Sequence, residues 1–181
     1  MTSNQNTSST HEKLSMHELG RMSKEEFIST QKNKIVLVLD NVRSLNNVGS
    51  AFRTADSFLI EAVYLCGVTG IPPNKDIEKT ALGATETVNW TYFKTTTEAI
   101  EQLKAEGYFI ASVEQAKNSV MLNAFSKPSQ PLALIVGNEV YGVEQEVIDK
   151  SDVCIEIPQF GTKHSLNVSV SVGIVLWEML R

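Results

Sequence analysis

Three segments of the chain concentrate residue types that do chemistry. DNVRSLNNVGSAFRTAD at 40–56 carries Asn47 and, six residues on, Arg53, the only strong cation between 44 and 58. A guanidinium fork matches a phosphate through two parallel hydrogen bonds, so Arg53 suits an anion clamp. Asn47 stands where it would cap a helix over 48–58, and a cap there also lies at the mouth of any site the first strand opens onto. GNEVYG at 137–142 places Glu139 between Gly137 and Gly142. A carboxylate so placed can orient Asn47 or Arg53 by a charge-assisted hydrogen bond, or simply face solvent in a turn before a helix starting near Gly142. Gly137 permits close backbone approach to a ligand and Gly142 a sharp turn. PQFGTKHSLN at 158–167 ends on Ser165, Leu166 and Asn167, whose short polar groups can cap the last helix.

The elements that must position these loops are legible as short β-branched apolar runs at 35–40, 62–66, 88–93, 108–113, 132–136 and 153–157. Such runs are typical of strands buried on both faces. Helical stretches at 96–106, 144–150 and 166–180 separate or follow them, and a capping box at Ser23 to Glu26 starts a short helix ahead of the first strand. Alternation of strands and helices predicts an α/β fold with a mostly parallel open sheet flanked by helices and right-handed crossovers. In such sheets ligands bind outside the carboxyl ends of the strands, where all three segments fall. At 166–175, LNVSVSVGIV alternates as a half-buried strand would, while the WEML that follows suits a helix.

Composition excludes several classes. With 181 residues, 42% hydrophobic and 20% charged, the chain predicts one globular domain at 31–181 behind a disordered tail and short helix at 1–30. Apolar runs fall short of the ~18–20 residues a spanning helix needs, and MTSNQNTSST has no secretory pattern, so a cytoplasmic, membrane-free protein is expected. Cys66 and Cys154 lie in apolar segments without a C-x-x-C, and His11, His17 and His164 are scattered, so reduced thiols and no metal site are expected. Neither G-x-G-x-x-G nor G-x-x-x-x-G-K-[ST] occurs. The net charge of −5 opposes wholesale phosphate binding, unless Lys32, Lys34, Arg43, Arg53, Lys75, Lys79, Lys94 and Lys163 gather on one face.

The segments NNVGSAFRTAD, LIVGNEVYGV and IPQFGTKHSLNVSVSVGI, in this order and each after an apolar strand, closely resemble motifs 1, 2 and 3 of the SpoU (TrmH-like) family of RNA 2′-O-ribose methyltransferases, within the SPOUT superfamily. Residues 33–181 share the likeness, including KTALGATETV at 79–88. The resemblance implies a deep trefoil knot at the C-terminus, a helical 166–180, a homodimer, and S-adenosylmethionine bound by the knot loops with no metal. It also implies tRNA or rRNA, not DNA, as partner. Gln159 and Phe160 depart from the small apolar residues with glycine common in relatives, and an appended RNA-binding domain is not expected.

On that resemblance, Asn47, Arg53, Glu139, Ser165 and Asn167 are the candidate catalytic residues, with Arg53 clamping phosphate and Ser165 and Asn167 holding the target nucleotide. Val136, Gly137, Ile157, Leu166 and Asn167 are the expected cofactor contacts, within an adenine slot walled by Leu134, Ile135, Val136, Ile157, Pro158 and Leu166. A guanidinium stays protonated and is a poor base, so the proton acceptor stays open. RNA affinity is expected from a basic face around Lys32, Lys34, Arg43 and Lys75. The contrasting reading is a catalytically silent RNA-binding or assembly protein on the same scaffold.

Overall fold

In a computed structural model that describes residues 11–15 and 18–181, thirteen elements follow one another. They are α1 (Lys24–Ser29), β1 (Asn33–Asp40), α2 (Leu45–Ser57), β2 (Ile60–Cys66), α3 (Lys75–Ala81), β3 (Asn89–Phe93), α4 (Thr96–Ala105), β4 (Phe109–Val113), β5 (Val120–Met121), β6 (Leu132–Val136), α5 (Gln145–Lys150), β7 (Val153–Glu156) and α6 (Val168–Leu180). The tail expected at 1–10, and His17, lie outside the described residues.

The seven strands form one sheet in the order β3-β2-β1-β6-β4-β7-β5, and every neighbouring pair is parallel. β1 shows why its sequence is apolar without alternation. Ile35, Leu37 and Leu39 face one core with Val48, Phe52 and Ala55 of α2 and Val172, Leu176 and Met179 of α6. Val36 and Val38 face a second core with Ala99, Ile100 and Leu103 of α4 and Val147 of α5. Helices therefore cover both faces, as a parallel sheet requires. Phe27 of α1 is buried in the first core. No helix among the described residues is long and apolar enough to cross a membrane.

α6 is a helix, as the resemblance implies and against the alternation of its first half. It starts two residues later than expected, with Asn167 as N-cap accepting from the Ser169 amide at 2.9 Å. Buried Val172, Val175, Leu176 and Met179 recur at helical spacing, while Val170, Ile174 and Trp177 are 49%, 38% and 62% exposed. The helix is thus apolar on both its buried and its outer face.

Two boundaries differ from the sequence reading. α2 begins at Leu45 with Ser44 as its N-cap, so Asn47 lies inside the first turn and its side chain is free to reach elsewhere. α5 begins at Gln145, not near Gly142, because Gly142 (φ 69°) closes a tight turn first. α3 and β5, not expected from sequence, complete the connections.

Candidate functional site

The carboxyl ends of β4, β6 and β7 open onto a cleft of about 310 Å³, within the usual range of small-molecule sites. The loop after β6 forms one wall. Asn138 and Gly142 exchange backbone hydrogen bonds of 2.9 Å, pinching 138–142 into a hairpin with Val140 and Tyr141 at its exposed tip. A Cβ on Gly137 would stand 2.1 Å from the Gly142 carbonyl carbon, so this glycine is required by the chain's own turn more than by a ligand. The Asn138 side chain reinforces the turn, accepting from the Val140 and Tyr141 amides and donating to the Asn41 carbonyl.

Glu139 projects from this hairpin to the start of α2. Its carboxylate accepts from the Arg43 amide (3.0 Å), the Ser44 amide (2.9 Å) and Asn47 Nδ2 (2.9 Å). Asn167 Nδ2 in turn donates to Asn47 Oδ1 at 3.2 Å. One residue from each segment thus joins in a chain, Asn167 to Asn47 to Glu139, across positions 92 and 120 residues apart in sequence. Partial burial pushes the Glu139 carboxyl up, but the hydrogen bonds from Asn47, Ser44 and Arg43 outweigh it and hold the group below its ordinary value. Glu139 is therefore an anion that orients Asn47, and a poor proton acceptor.

Val136, Gly137, Ile157, Leu166 and Ser165 line the cleft, with Gln159, His164 and Val168. Asn167 lies beside it at the N-cap of α6. Leu134 and Ile135 do not line it: both are buried in the sheet, facing the two cores. Pro158 does not line it either. Phe160 is 97% exposed, outside the lining. No lysine or arginine is among the lining residues, while Glu114 and Glu139 are.

Arg53 is the residue the structure does not bring to this cleft. Six residues along a helix is about 9 Å of rise and about one and two-thirds turns from Asn47, and Arg53 instead lines a second, larger cleft of about 660 Å³ between α2, the 81–87 segment and the 19–27 segment. The basic face expected around Lys32, Lys34, Arg43 and Lys75 does not form. Lys34 enters β1 and pairs with Glu61 at 2.7 Å, and Lys32 donates to the Phe27 and Thr30 carbonyls. Arg43 follows the other end of that eight-residue strand, roughly 25 Å away at ~3.3 Å per residue.

Sequence reasoning missed Glu114, on the loop after β4. Its Oε2 accepts from the Val143 amide (2.9 Å) and its Oε1 from the Gln115 amide (2.8 Å), so it braces the hairpin from the other side of the cleft. The signal was a fourth strand-end loop, EQAKNS at 114–119. Asp40, fully buried at the end of β1, was likewise missed. It accepts from Thr96, Asn41 and the Glu144 amide, and so fixes the strand end to α4 and α5. Among the described residues no cluster of His, Cys, Asp and Glu has the makings of a metal site. Burial pushes the Cys66 thiol up to about 12, which leaves it an inert core group.

A parallel sheet covered on both faces, with an uncharged-to-acidic cleft at its carboxyl edge and a three-residue polar chain on the rim, defines an α/β protein of the small-ligand-binding kind. The particular family follows from comparison: residues 34–177 match the SpoU rRNA Methylase family, and the chain belongs to it. It is 31% identical over 161 residues to a Staphylococcus haemolyticus protein assigned to the TrmH family of tRNA/rRNA methyltransferases, covering 87% of this chain but only 64% of that relative's length. The fold resembles the A. aeolicus TrmH/SpoU tRNA modifying enzyme (28% identity, TM-score 0.76, 86% of this chain and 78% of that one). It also resembles an AdoMet-bound rRNA methyltransferase from Sinorhizobium meliloti (28% identity, TM-score 0.77, 87% and 60%).

Proposed function

We propose that the protein transfers a methyl group from S-adenosylmethionine to a ribose 2′-hydroxyl of tRNA or rRNA, without a metal. The observation that carries this reading is the Asn167–Asn47–Glu139 chain on the rim of a cleft walled by Val136, Gly137, Ile157 and Leu166. The lining suits the cofactor's charge. A cleft with two carboxylates and no lysine or arginine favours a cationic nucleoside over a phosphorylated one, which also disfavours a flavodoxin-like nucleotide site. S-adenosylmethionine, when bound, supplies an electrophilic sulfonium methyl.

The chain's own residues would then act by placement. Val136, Ile157 and Leu166 hold the adenine face, and the backbone around Gly137 offers hydrogen-bonding groups without charged side chains. Glu139 fixes the Asn47 amide, and Asn47, Asn167 and Ser165 hold the ribose for in-line attack. The relative's AdoMet-bound state and the tRNA/rRNA naming of the other relatives support the reading.

Arg53 enters as the phosphate clamp, and its distance from the cleft within one chain makes a second copy part of the reading. The exposed stripe Val170, Ile174 and Trp177 on α6, beside α2, is an apolar face of the kind a homodimer covers. A dimer seated there brings one copy's α2 towards the other copy's cleft. A knotted C-terminal segment belongs to the same proposal, supported by the family membership and by 157–167 leading from β7 past the cleft to an α6 packed on β6 and α2. The domain is taken as 31–181.

Arg53→Ala should abolish methyl transfer while calorimetry finds cofactor affinity nearly unchanged, and Arg53→Lys should restore little, since a point charge lacks the fork. Near-normal single-turnover transfer by Arg53→Ala would refute the clamp. Absence of any binding heat at millimolar S-adenosylmethionine with chelator present would refute the enzymatic reading in favour of a silent RNA-binding dimer.

A further inference from the structure

We infer that the second cleft is a binding site for the RNA phosphodiester backbone, in which Arg21 and Lys24 of the N-terminal segment extend the Arg53 clamp. The choice of RNA as ligand rests on the proposed function; the site itself rests on its own residues. The cleft of about 660 Å³ is closed on one side by residues 19–24 and Phe27, and on the other by Arg53, Asp56 and Ser57 of α2 and by 81–84 and Thr87. Three cations from two distant stretches of an acidic chain converge on it.

Among the described residues Arg43, Lys75, Lys94 and Lys163 are as free of ion pairs as the two arginines, and what sets Arg21, Lys24 and Arg53 apart is that they meet on one cleft. Lys34, Lys79, Lys104, Lys150 and Arg181 sit in ion pairs elsewhere, and Lys32 is tied to backbone carbonyls. The guanidiniums of Arg21 and Arg53 make no ion pair or hydrogen bond among the described residues. Lys24 holds only a rim contact with Glu86, both side chains being more than half exposed. The one carboxylate of the lining, Asp56, accepts from the Thr87 hydroxyl at 2.8 Å, which reduces its competition for the guanidiniums.

The rest of the lining suits a nucleotide strand. Met22 and Leu82 are exposed at 51% and 65% beside the cations, giving a base an apolar surface while the phosphates meet the forks. Leu82 holds a left-handed backbone (φ 51°), followed by Gly83 (φ 89°), and this turn presents the leucine side chain outward at the rim. The 19–27 segment thereby holds part of the substrate strand against α2.

The test measures binding of fluorescein-labelled bulk tRNA at 50–200 mM salt, using exposed variants that remove the charge and leave a polar side chain. Each phosphate contact contributes about 0.7–0.9 to the slope of log affinity against log salt. The double variant Arg21→Gln, Lys24→Gln should therefore lower the slope by about 1.4–1.8, shrinking the salt-induced loss over this range about 7- to 12-fold. Lys127→Gln, an exposed charge in the loop before β6, should leave the slope within 0.3 or so of wild type, as should Glu86→Gln, which breaks the same ion pair but keeps Lys24. An unchanged slope in the double variant, or an equal fall with Lys127→Gln, overturns the inference. Cofactor calorimetry on the same samples separates the two readings. Absence of cofactor heat with an Arg21-dependent tRNA slope removes the enzyme and keeps the site. Wild-type methyl transfer with no Arg21 dependence removes the site and keeps the enzyme.

Discussion

Glu139→Gln isolates the contribution of charge to the joint between the β6 hairpin and α2. The substitution keeps the shape and leaves an amide oxygen to accept from Ser44 and Asn47. It removes the charge from three hydrogen bonds and turns an NH2 toward the Arg43 amide. Bonds to a charged acceptor contribute about 1.5–3 kcal/mol against about 0.5–1.5 for neutral pairs, a difference near 1 kcal/mol each. The carboxylate is reached by solvent, so the sum for three is discounted by about half, to about 1–2 kcal/mol. The folded-state value lies below the unfolded one, so this stability is fully present above about pH 5 and is lost as pH falls through the folded value. Urea unfolding followed by the fluorescence of Trp90 and Trp177 should show wild type ahead by about 1–2 kcal/mol at pH 7, with the gap narrowing as pH is lowered below about 5 and Glu139 protonates. A gap absent at pH 7, or one that does not narrow as acid protonates the carboxylate, would show that Glu139 does not hold the two segments together.

Asn167→Ala removes both the α6 cap and the donor to Asn47 and should lower the melting temperature by about 2–8 °C, from a loss of about 1–2 kcal/mol. Asn167→Asp, which keeps the cap and loses the donor, should recover most of that stability in a thermal melt but little of the methyl-transfer rate. Gly137→Ala places a Cβ 2.1 Å from the Gly142 carbonyl carbon, so its urea midpoint should fall further than that of Glu139→Gln, with loss of cofactor heat in calorimetry. Ile174→Glu puts a charge in the exposed apolar stripe of α6 and should yield a monomer by light scattering at micromolar concentration, where the proposed reading expects a wild-type dimer.

The strands were legible because both faces of β1, β6 and most of β2 are buried, which makes their sequences continuous apolar runs at the right length. Residues 166–175 alternate like a strand, most plainly where Val168, Val170 and Val172 are separated by serines. In the helix Val172 points inward and Val170 outward, and the pattern fails because both faces are apolar. α3 escaped notice because its single buried stripe is Ile77 and Ala81. At the site, Asn47, Glu139 and Asn167 were each visible as polar residues in strand-end loops. Their mutual contacts were not, since they span about a hundred residues or more and depend on which strands are neighbours. Arg53 reads as a clamp because it is the only strong cation between 44 and 58 and falls in the segment that carries the resemblance, but neither ground says which face of α2 it takes, and within one chain it lines the second cleft. Glu114 and Asp40 carry no local signal beyond position, because their partners are backbone amides and side chains of distant loops.

The most direct test of the proposed activity is transfer of tritiated methyl groups from S-adenosylmethionine to unmodified bulk RNA, followed by complete alkaline hydrolysis. Alkali cleaves RNA through the free 2′-hydroxyl, so a methyl on that oxygen protects the adjoining phosphodiester. We expect the label in alkali-resistant dinucleotides, with incorporation lost in Arg53→Ala. Label found wholly in mononucleotides would place the methyl on a base, and no incorporation into any RNA despite measurable cofactor binding would contradict the account.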